Sequence, residues 1–364
     1  MIVKEVTDIL EELAPLNYAE DFDNVGLLVG DYQAKVTGVL VTLDTLEEVV
    51  DEAIASQYNL IVSFHPIIFS GLKKITGATY VERTVLKAIK NNIAIYCLHT
   101  ALDNSSEGVN AKICEVLGLS NPKILIPKKD IIKKLITYVP SSEADKLRTH
   151  LFEAGAGNIG NYSNCSFTLE GTGSFKPGEQ SQPMKGKPGE LHFEKETQIN
   201  ITYPPENEAA ILKCLFESHP YEEVAYELYS LENFNQKVGM GMIGDLTRPM
   251  SENDFLIHLK SKMQATCIKH SKLLGKNVKK VAVLGGSGSF AIGPAKSAGA
   301  DMLVTSDVKY HQFFEAENKI VIADIGHYES EQFTNNLLVD YLTKKMPNFA
   351  ISLSESKTNP IKYF

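Results

Sequence analysis

Short β-branched and apolar runs alternate with longer stretches whose apolar positions recur every three or four residues. Residues 36–44 (VTGVLVTLD) and 58–66 (YNLIVSFHP) predict strands, and residues 45–57 between them predict a helix. Residues 91–103 (NNIAIYCLHTALD) predict a further strand followed by a polar turn. Strands separated by helices of about a dozen residues indicate parallel βαβ units. In such sheets, functional groups collect at the carboxyl ends of the strands. Asp44, His65 and Asp103 all fall at such ends, and the first sixteen residues pattern as an amphipathic helix.

The rhythm changes after about residue 128. KKLITYVP predicts a strand, SSEADKLRTHLFEAGAG a helix and NCSFTLEGTG a strand, followed by a long Gly/Pro/Lys-rich loop. TQINITYP (strand), a helix opened near Pro205, and YEEVAYELYSL (strand) complete a β-α-β-β-α-β order. That order is the ferredoxin-like double split βαβ unit. From residue 237 the strand-turn-helix theme resumes. The expected fold is a discontinuous parallel-rich α/β domain, residues 1–127 and 237–364, with an inserted ferredoxin-like α+β domain at 128–236.

Composition narrows the function classes. A chain of 364 residues exceeds one comfortable core. The net charge of −9 and the absence of a clustered basic run disfavour nucleic acid. No signal pattern opens the chain, and no apolar run approaches the roughly 18 residues that cross a bilayer. The five cysteines are scattered and form no C-x-x-C, which argues against a disulfide framework and a thiolate zinc finger. A cytoplasmic location is expected.

Three segments carry candidate chemistry. His65, stiffened by Pro66, suits either a hydrogen-bonded core imidazole or a metal ligand. In CLHTALDN, Asp103 stands four residues after His99, and Asp103-Asn104 also reads as turn chemistry. In VIADIGHYESEQF, a strand ends at Asp324 and Gly326 turns the chain. His327 and Glu331 then follow at i, i+4, on one helix face. Together they place two nitrogens and two carboxylates at strand ends of what is expected to be one sheet. Zinc, manganese or iron suits that donor set. Gly286-x-Gly288-x-x-Ala291 matches the permissive dinucleotide fingerprint, with Asp307 as its distal acid beside Lys309, Tyr310 and His311. A loop of free amides facing an anionic ligand is the preferred expectation for Gly285, Gly286 and Gly288. His219 reads as part of a helix-to-strand turn.

Taken together, EDFDNVGLLVGD (20–31), FHPIIFSG (64–71), HTALDN (99–104), HPYEEVAYEL (219–228), VGMGMIGDL (238–246), GGSGS (285–289), TSDVKYH (305–311) and DIGHYESE (324–331) resemble the NIF-three-like family. Its members are labelled GTP cyclohydrolase type 2 homologs or dinuclear-metal-centre proteins. The resemblance implies a toroidal homohexamer with two metal ions per subunit in a cleft, and an inserted domain similar to PII and CutA proteins. It carries metal ligation to His65, Asp103, His327 and Glu331, with Glu331 bridging. Where the family has the first histidine of His-His-Pro, this chain has Phe64, which leaves one or two ions open. The implied activity is metal-dependent hydrolysis by a metal-activated water. His99 and His311 would carry protons, and a small anionic or nucleotide ligand would be the partner. The alternative is a hexameric regulatory or metal-handling protein whose insert senses a ligand without catalysis.

Overall fold

The computed structural model describes residues 1–364, which divide into two compact units: residues 1–127 with 237–364, and residues 128–236. In the first unit, β1 (Gly26–Val29), β2 (Val39–Thr42), β3 (Leu60–Ser63), β4 (Ala94–Cys97) and β15 (Ile351–Leu353) form a five-stranded sheet in the order β1-β4-β3-β2-β15. All its pairings are parallel except that of β1 with β4. The crossover helices α2 (Glu47–Ala55) and α3 (Tyr80–Lys90) cover one face. Thr79 caps α3 by accepting the Glu82 amide, and Lys87 and Lys90 complement the dipole of its last turn.

A second sheet of six strands runs β11-β14-β13-β12-β10-β5. Its members are β5 (Leu119–Pro127), β10 (Gly239–Ser251), β11 (Lys269–His270), β12 (Asn277–Ser287), β13 (Met302–Ser306) and β14 (Val321–Asp324). The β12-β13-β14 segment is parallel and the remaining pairings are antiparallel. The short helix α9 (Ile292–Ser297) packs outside it. After β13 the strand-turn-helix theme is carried by a 3-10 helix, Tyr310–Ala316.

Strand alternation explains the central layer. Leu40, Ile61 and Ile95 share register and pack against α2 and α3, whereas Val39, Val41, Leu60, Val62 and Tyr96 point the other way. There they join Val281, Val283, Met302, Val304 and Val321 of the second sheet. Helices α1 (Val3–Leu13), α5 (Val109–Leu117), α8 (Glu252–Lys262) and α11 (Thr334–Lys345) complete this core. After β14 the chain runs through α10 (His327–Glu331) and α11 and joins the first sheet as β15.

This corrects one expectation. His65 and Asp103 follow strands of the five-stranded sheet, whereas His327 and Glu331 follow a strand of the other. Two sheets supply the cluster because equal βα rhythms on both sides of the insert do not reveal which strands pair. Asp103 also lies not in a turn but at the end of a five-residue helix, α4 (His99–Asp103).

The second unit is a four-stranded antiparallel sheet ordered β7-β8-β6-β9. Its strands are β6 (Ile132–Pro140), β7 (Phe167–Phe175), β8 (His192–Tyr203) and β9 (Tyr226–Leu231). Helices α6 (Ala144–Glu153) and α7 (Glu208–Ser218) bury one face through Leu147, Leu151, Ile211 and Leu215 against Leu135, Ile199 and Ile201. His219 ends α7, with Nε2 3.0 Å from the Tyr138 carbonyl, and has the structural role read from its turn. All five cysteines are free, and no helix of the chain is long and apolar enough to cross a membrane.

Candidate metal centre

Backbone hydrogen bonds fix the segment after β3. The Phe64 amide donates to the Thr42 carbonyl and the His65 amide to the Leu43 carbonyl, while Ser63 Oγ donates to the His65 carbonyl at 2.6 Å. His65 is thereby held at the strand end with Nδ1 2.8 Å from Asp44 Oδ1. Asp44 is fixed in turn by the Thr358 hydroxyl at 2.9 Å. In the other sheet, Gly326 at φ 97° turns the chain into α10. His327 Nδ1 there lies 2.6 Å from Asp307 Oδ2, which also accepts from Ser287 Oγ at 2.6 Å.

The two halves follow one plan. In each, an acid just past one strand holds the histidine just past the parallel neighbour, across 21 residues for Asp44–His65 and 20 for Asp307–His327. A carboxylate on Nδ1 fixes the neutral tautomer and leaves Nε2 as the electron-pair donor. Both Nε2 atoms converge on one oxygen, Glu331 Oε2, at 3.1 Å from His65 and 3.2 Å from His327. Neither contact has hydrogen-bond geometry, and that buried oxygen is unsatisfied. The donor atoms of His65, His327 and Glu331 all lie within 4.8 Å of one another.

Electrostatics sharpen the picture. Burial pushes the His65 imidazolium down, but Asp44 and Glu331 outweigh it and hold its pKa up to about 10. His327 is raised to about 9 by Glu331 and Asp307, again against burial. Burial would raise the Glu331 carboxyl, yet the two imidazoles hold it below the glutamate range. Asp103 is pushed well above the aspartate range by burial and by the Glu331 charge. Its buried Oδ1, like Glu331 Oε2, has no hydrogen-bond partner. Unsatisfied buried carboxylate oxygens beside two oriented imidazoles are costly in a protein interior. A divalent cation would satisfy Glu331 Oε2 and both imidazoles together, so these three residues fit a metal, and Asp103 stands outside the group whose donor atoms converge.

Asp103 borders a cavity of about 310 Å³ together with His99, His327, Glu331 and the glycine turn. His99 stands edge-on to His65, with ring centroids 5.4 Å apart, and its Nδ1 lies 2.8 Å from Asp23 Oδ1. His99 and Thr100 hold the Asp23 carboxyl down to about 2, although burial alone would raise it. Phe64 is fully buried, its ring 4.9 Å from His65 and 5.7 Å from His99.

A family model, Duf34/NIF3 (NGG1p interacting factor 3), matches residues 1–360. The chain belongs to the DUF34/NIF3 family. A Bacillus subtilis protein described as "GTP cyclohydrolase 1 type 2 homolog" is 36% identical over 370 residues, covering 99% of this chain and 98% of its own length. A Staphylococcus epidermidis relative of the same description is 33% identical over 368 residues, covering both chains fully. A solved Bacillus cereus protein related to NIF3 superposes with a TM-score of 0.84 at 36% identity, covering 100% of this chain and 99% of its own. A Staphylococcus aureus structure gives 0.79 at 28%, with the same coverage.

In this DUF34/NIF3 chain, two sequence expectations for the site need correction. The Gly285 amide donates to Asn110 Oδ1 at 3.0 Å and the Gly286 amide to Ser330 Oγ at 2.9 Å, so neither is free for an anion. Gly288 lies outside the cavity wall, and a Cβ there would strike the Thr305 hydroxyl. The turn is glycine-rich for space: a Cβ on Gly286 would strike Glu331 Oε1. His311 is exposed against Tyr310 and Phe314 and takes no part in the cavity wall.

Residues missed as site members are Asp44 and Asp307 as histidine partners, Asp23 behind His99, and Asn110 and Ser330 behind the glycine turn. The available signal was an acid at a strand end one βα unit before each histidine. Asp44→Asn and Asp307→Asn are each expected to weaken divalent-metal affinity by about 10–100-fold, since each loosens one histidine without removing a ligand. Competition against a chromogenic chelator measures this.

Proposed function

We propose that the chain is a metal-dependent hydrolase-like protein that binds a divalent ion, zinc foremost, through His65, His327, Glu331 and Asp103. The convergence of both Nε2 atoms on the unsatisfied Glu331 oxygen carries this reading. The ion would supply Lewis acidity and lower the pKa of a water toward neutrality. His99, with Nδ1 engaged by Asp23, keeps Nε2 for moving a proton at the cavity wall. The name carried by the relatives points to GTP as a substrate.

Phe64 donates nothing to a metal, so one well-furnished ion per chain is expected, with His99 the sole remaining imidazole near a second position. We further propose that the chain assembles as a homohexamer in the cytoplasm. Native mass spectrometry with elemental analysis tests both. One zinc per chain in a hexamer supports the reading, and no zinc after stoichiometric loading sinks it.

Proton competition gives a second test. A metal takes the neutral imidazoles, but His65 and His327 stay charged up to about 10 and 9 in the metal-free protein. Uptake at pH 7 must therefore release protons, and affinity should rise with pH until about 9–10. Calorimetry in buffers of different ionisation enthalpy reads the release directly. Uptake without proton release contradicts the ligand set.

One observation favours a sensing role for residues 128–236, which we read as a ferredoxin-like insert from its strand order. A cavity of about 400 Å³ lies on its sheet, bordered by Tyr138, Phe175, Glu196 and Tyr221. In this second reading the insert binds a small effector there. A metabolite-induced rise in melting temperature that Tyr221→Ala removes supports it.

A further inference from the structure

The cavity beside the metal cluster has a wall chemistry that the name of the relatives does not anticipate. Phe22, Phe69 and Phe290 border it and remain 66%, 52% and 55% exposed, so three aromatic rings stand at its mouth without being buried. Met240 and Leu284 continue the apolar lining. No lysine or arginine borders the cavity. Asp103 and Glu331 do, and Asp23, Asp44 and Asp307 stand directly behind the three histidines.

The usual protein devices for holding phosphate are a guanidinium, an ammonium or a cluster of free backbone amides. Here the Gly285 and Gly286 amides are engaged by Asn110 and Ser330. The Thr100 hydroxyl is turned to Asp23, and the Ser287 hydroxyl to Asp307. Outside the groups assigned to the metal, what the wall still offers a ligand is an acceptor, His99 Nε2, whose Nδ1 is engaged by Asp23. An acceptor and aromatic faces recognise a flat ring carrying N–H groups, with stacking for affinity and the imidazole nitrogen for orientation.

Building on the metal-centre reading, we propose that this cavity takes an uncharged planar heterocycle bearing ring N–H groups, stacked among Phe22, Phe69 and Phe290, and that it rejects the phosphorylated form. A nucleoside triphosphate would bring several negative charges to a wall that has no lysine or arginine, and whose Gly285 and Gly286 amides and Thr100 and Ser287 hydroxyls are already engaged.

The test uses the full chain, zinc-loaded and chelator-stripped, at 0.15 M salt. Guanosine, hypoxanthine and uracil are compared with GTP by saturation-transfer NMR and calorimetry. At least one unphosphorylated ring is expected to bind, with GTP at least tenfold weaker than guanosine in the stripped protein. Phe290→Ala and Phe69→Leu should each weaken ring binding at least fivefold without changing zinc content. GTP binding as tightly as guanosine overturns the proposal, as does failure of all three rings to bind. Phenylalanine variants that melt normally and bind the ring normally overturn it too. Because zinc content is read separately, ring binding without zinc uptake would sink the metal reading alone, and zinc uptake without ring binding would sink this one alone.

Discussion

Glu331→Gln is expected to abolish stoichiometric zinc binding, weakening affinity by at least about 100-fold, beyond the ~10–100-fold that a change behind a ligand produces. Glu331 is 3% exposed, and its Oε2 is the one atom both imidazoles approach. Glutamine preserves the shape but removes the charge that holds His65 and His327 protonated in the metal-free protein and that would neutralise a cation. Stability in the metal-free state should fall by about 3 kcal/mol, as when one partner of a buried pair is lost. That leaves a protein of ordinary stability folded. The sign with pH follows from the imidazoles. Their folded pKa values lie above the ordinary histidine value, so the stability they contribute is fully present below about 6.5. It is lost as pH rises through 9 to 10. The variant should therefore differ most from the parent near pH 5–6.5 and least above pH 10. Glu329→Gln is the control. Glu329 is equally buried two residues away and faces Asn359 rather than the cluster, so it should leave zinc content unchanged. Equal zinc content in Glu331→Gln and the parent would remove Glu331 from the site.

The three side chains that converge were readable because each is tied to a local pattern. His65 interrupts an apolar strand before a proline, and His327 with Glu331 has helical spacing after a glycine turn. Strands β2, β3, β4, β12, β13 and β14 were readable for a related reason, since βα alternation produces runs of buried β-branched residues. What stayed hidden depends on pairing between distant segments. The edge strands β1, β11 and β15 are two to four residues long and borrow their conformation from neighbours. Strand β10, GMGMIGDLTRPMS, carries three glycines and a proline because register shifts interrupt its pairing with both partners. Those residues read locally as turn formers. Asp44 looked like a strand-end acid and nothing more, and Asp307 like the distal acid of a dinucleotide fingerprint. Only the parallel register sets each beside its histidine. The anion-loop expectation failed for a different reason: glycines that free an amide for a ligand and glycines that make room for a side chain look alike in sequence.

That distinction yields the second large effect. Gly286→Ala should disable the metal centre although residue 286 supplies no ligand atom. Gly286 has φ 69°, a region where a Cβ costs roughly 1–2 kcal/mol. Its Cβ would also strike Glu331 Oε1 and lie 3.5 Å from both Glu331 Cδ and His327 Cε1. The carboxylate cannot yield by a few tenths of an ångström, because its other oxygen is the one facing both imidazoles. It must rotate away, so zinc affinity should fall by about 100-fold or more. Two other glycines separate the causes. Gly118→Ala, at φ 71° with nothing within 4 Å of the new Cβ, carries the backbone strain alone and should melt lower with zinc content intact. Gly285→Ala has no left-handed strain, and its Cβ would meet Val109 Cγ1 at 3.0 Å and Glu331 Cγ at 3.4 Å. It should lose some stability and keep most of its zinc. The expected order of zinc affinity is parent and Gly118→Ala together, Gly285→Ala slightly below, and Gly286→Ala far below. If Gly286→Ala retains parent affinity, Glu331 does not need the position it occupies here, and the metal set built around its Oε2 is wrong.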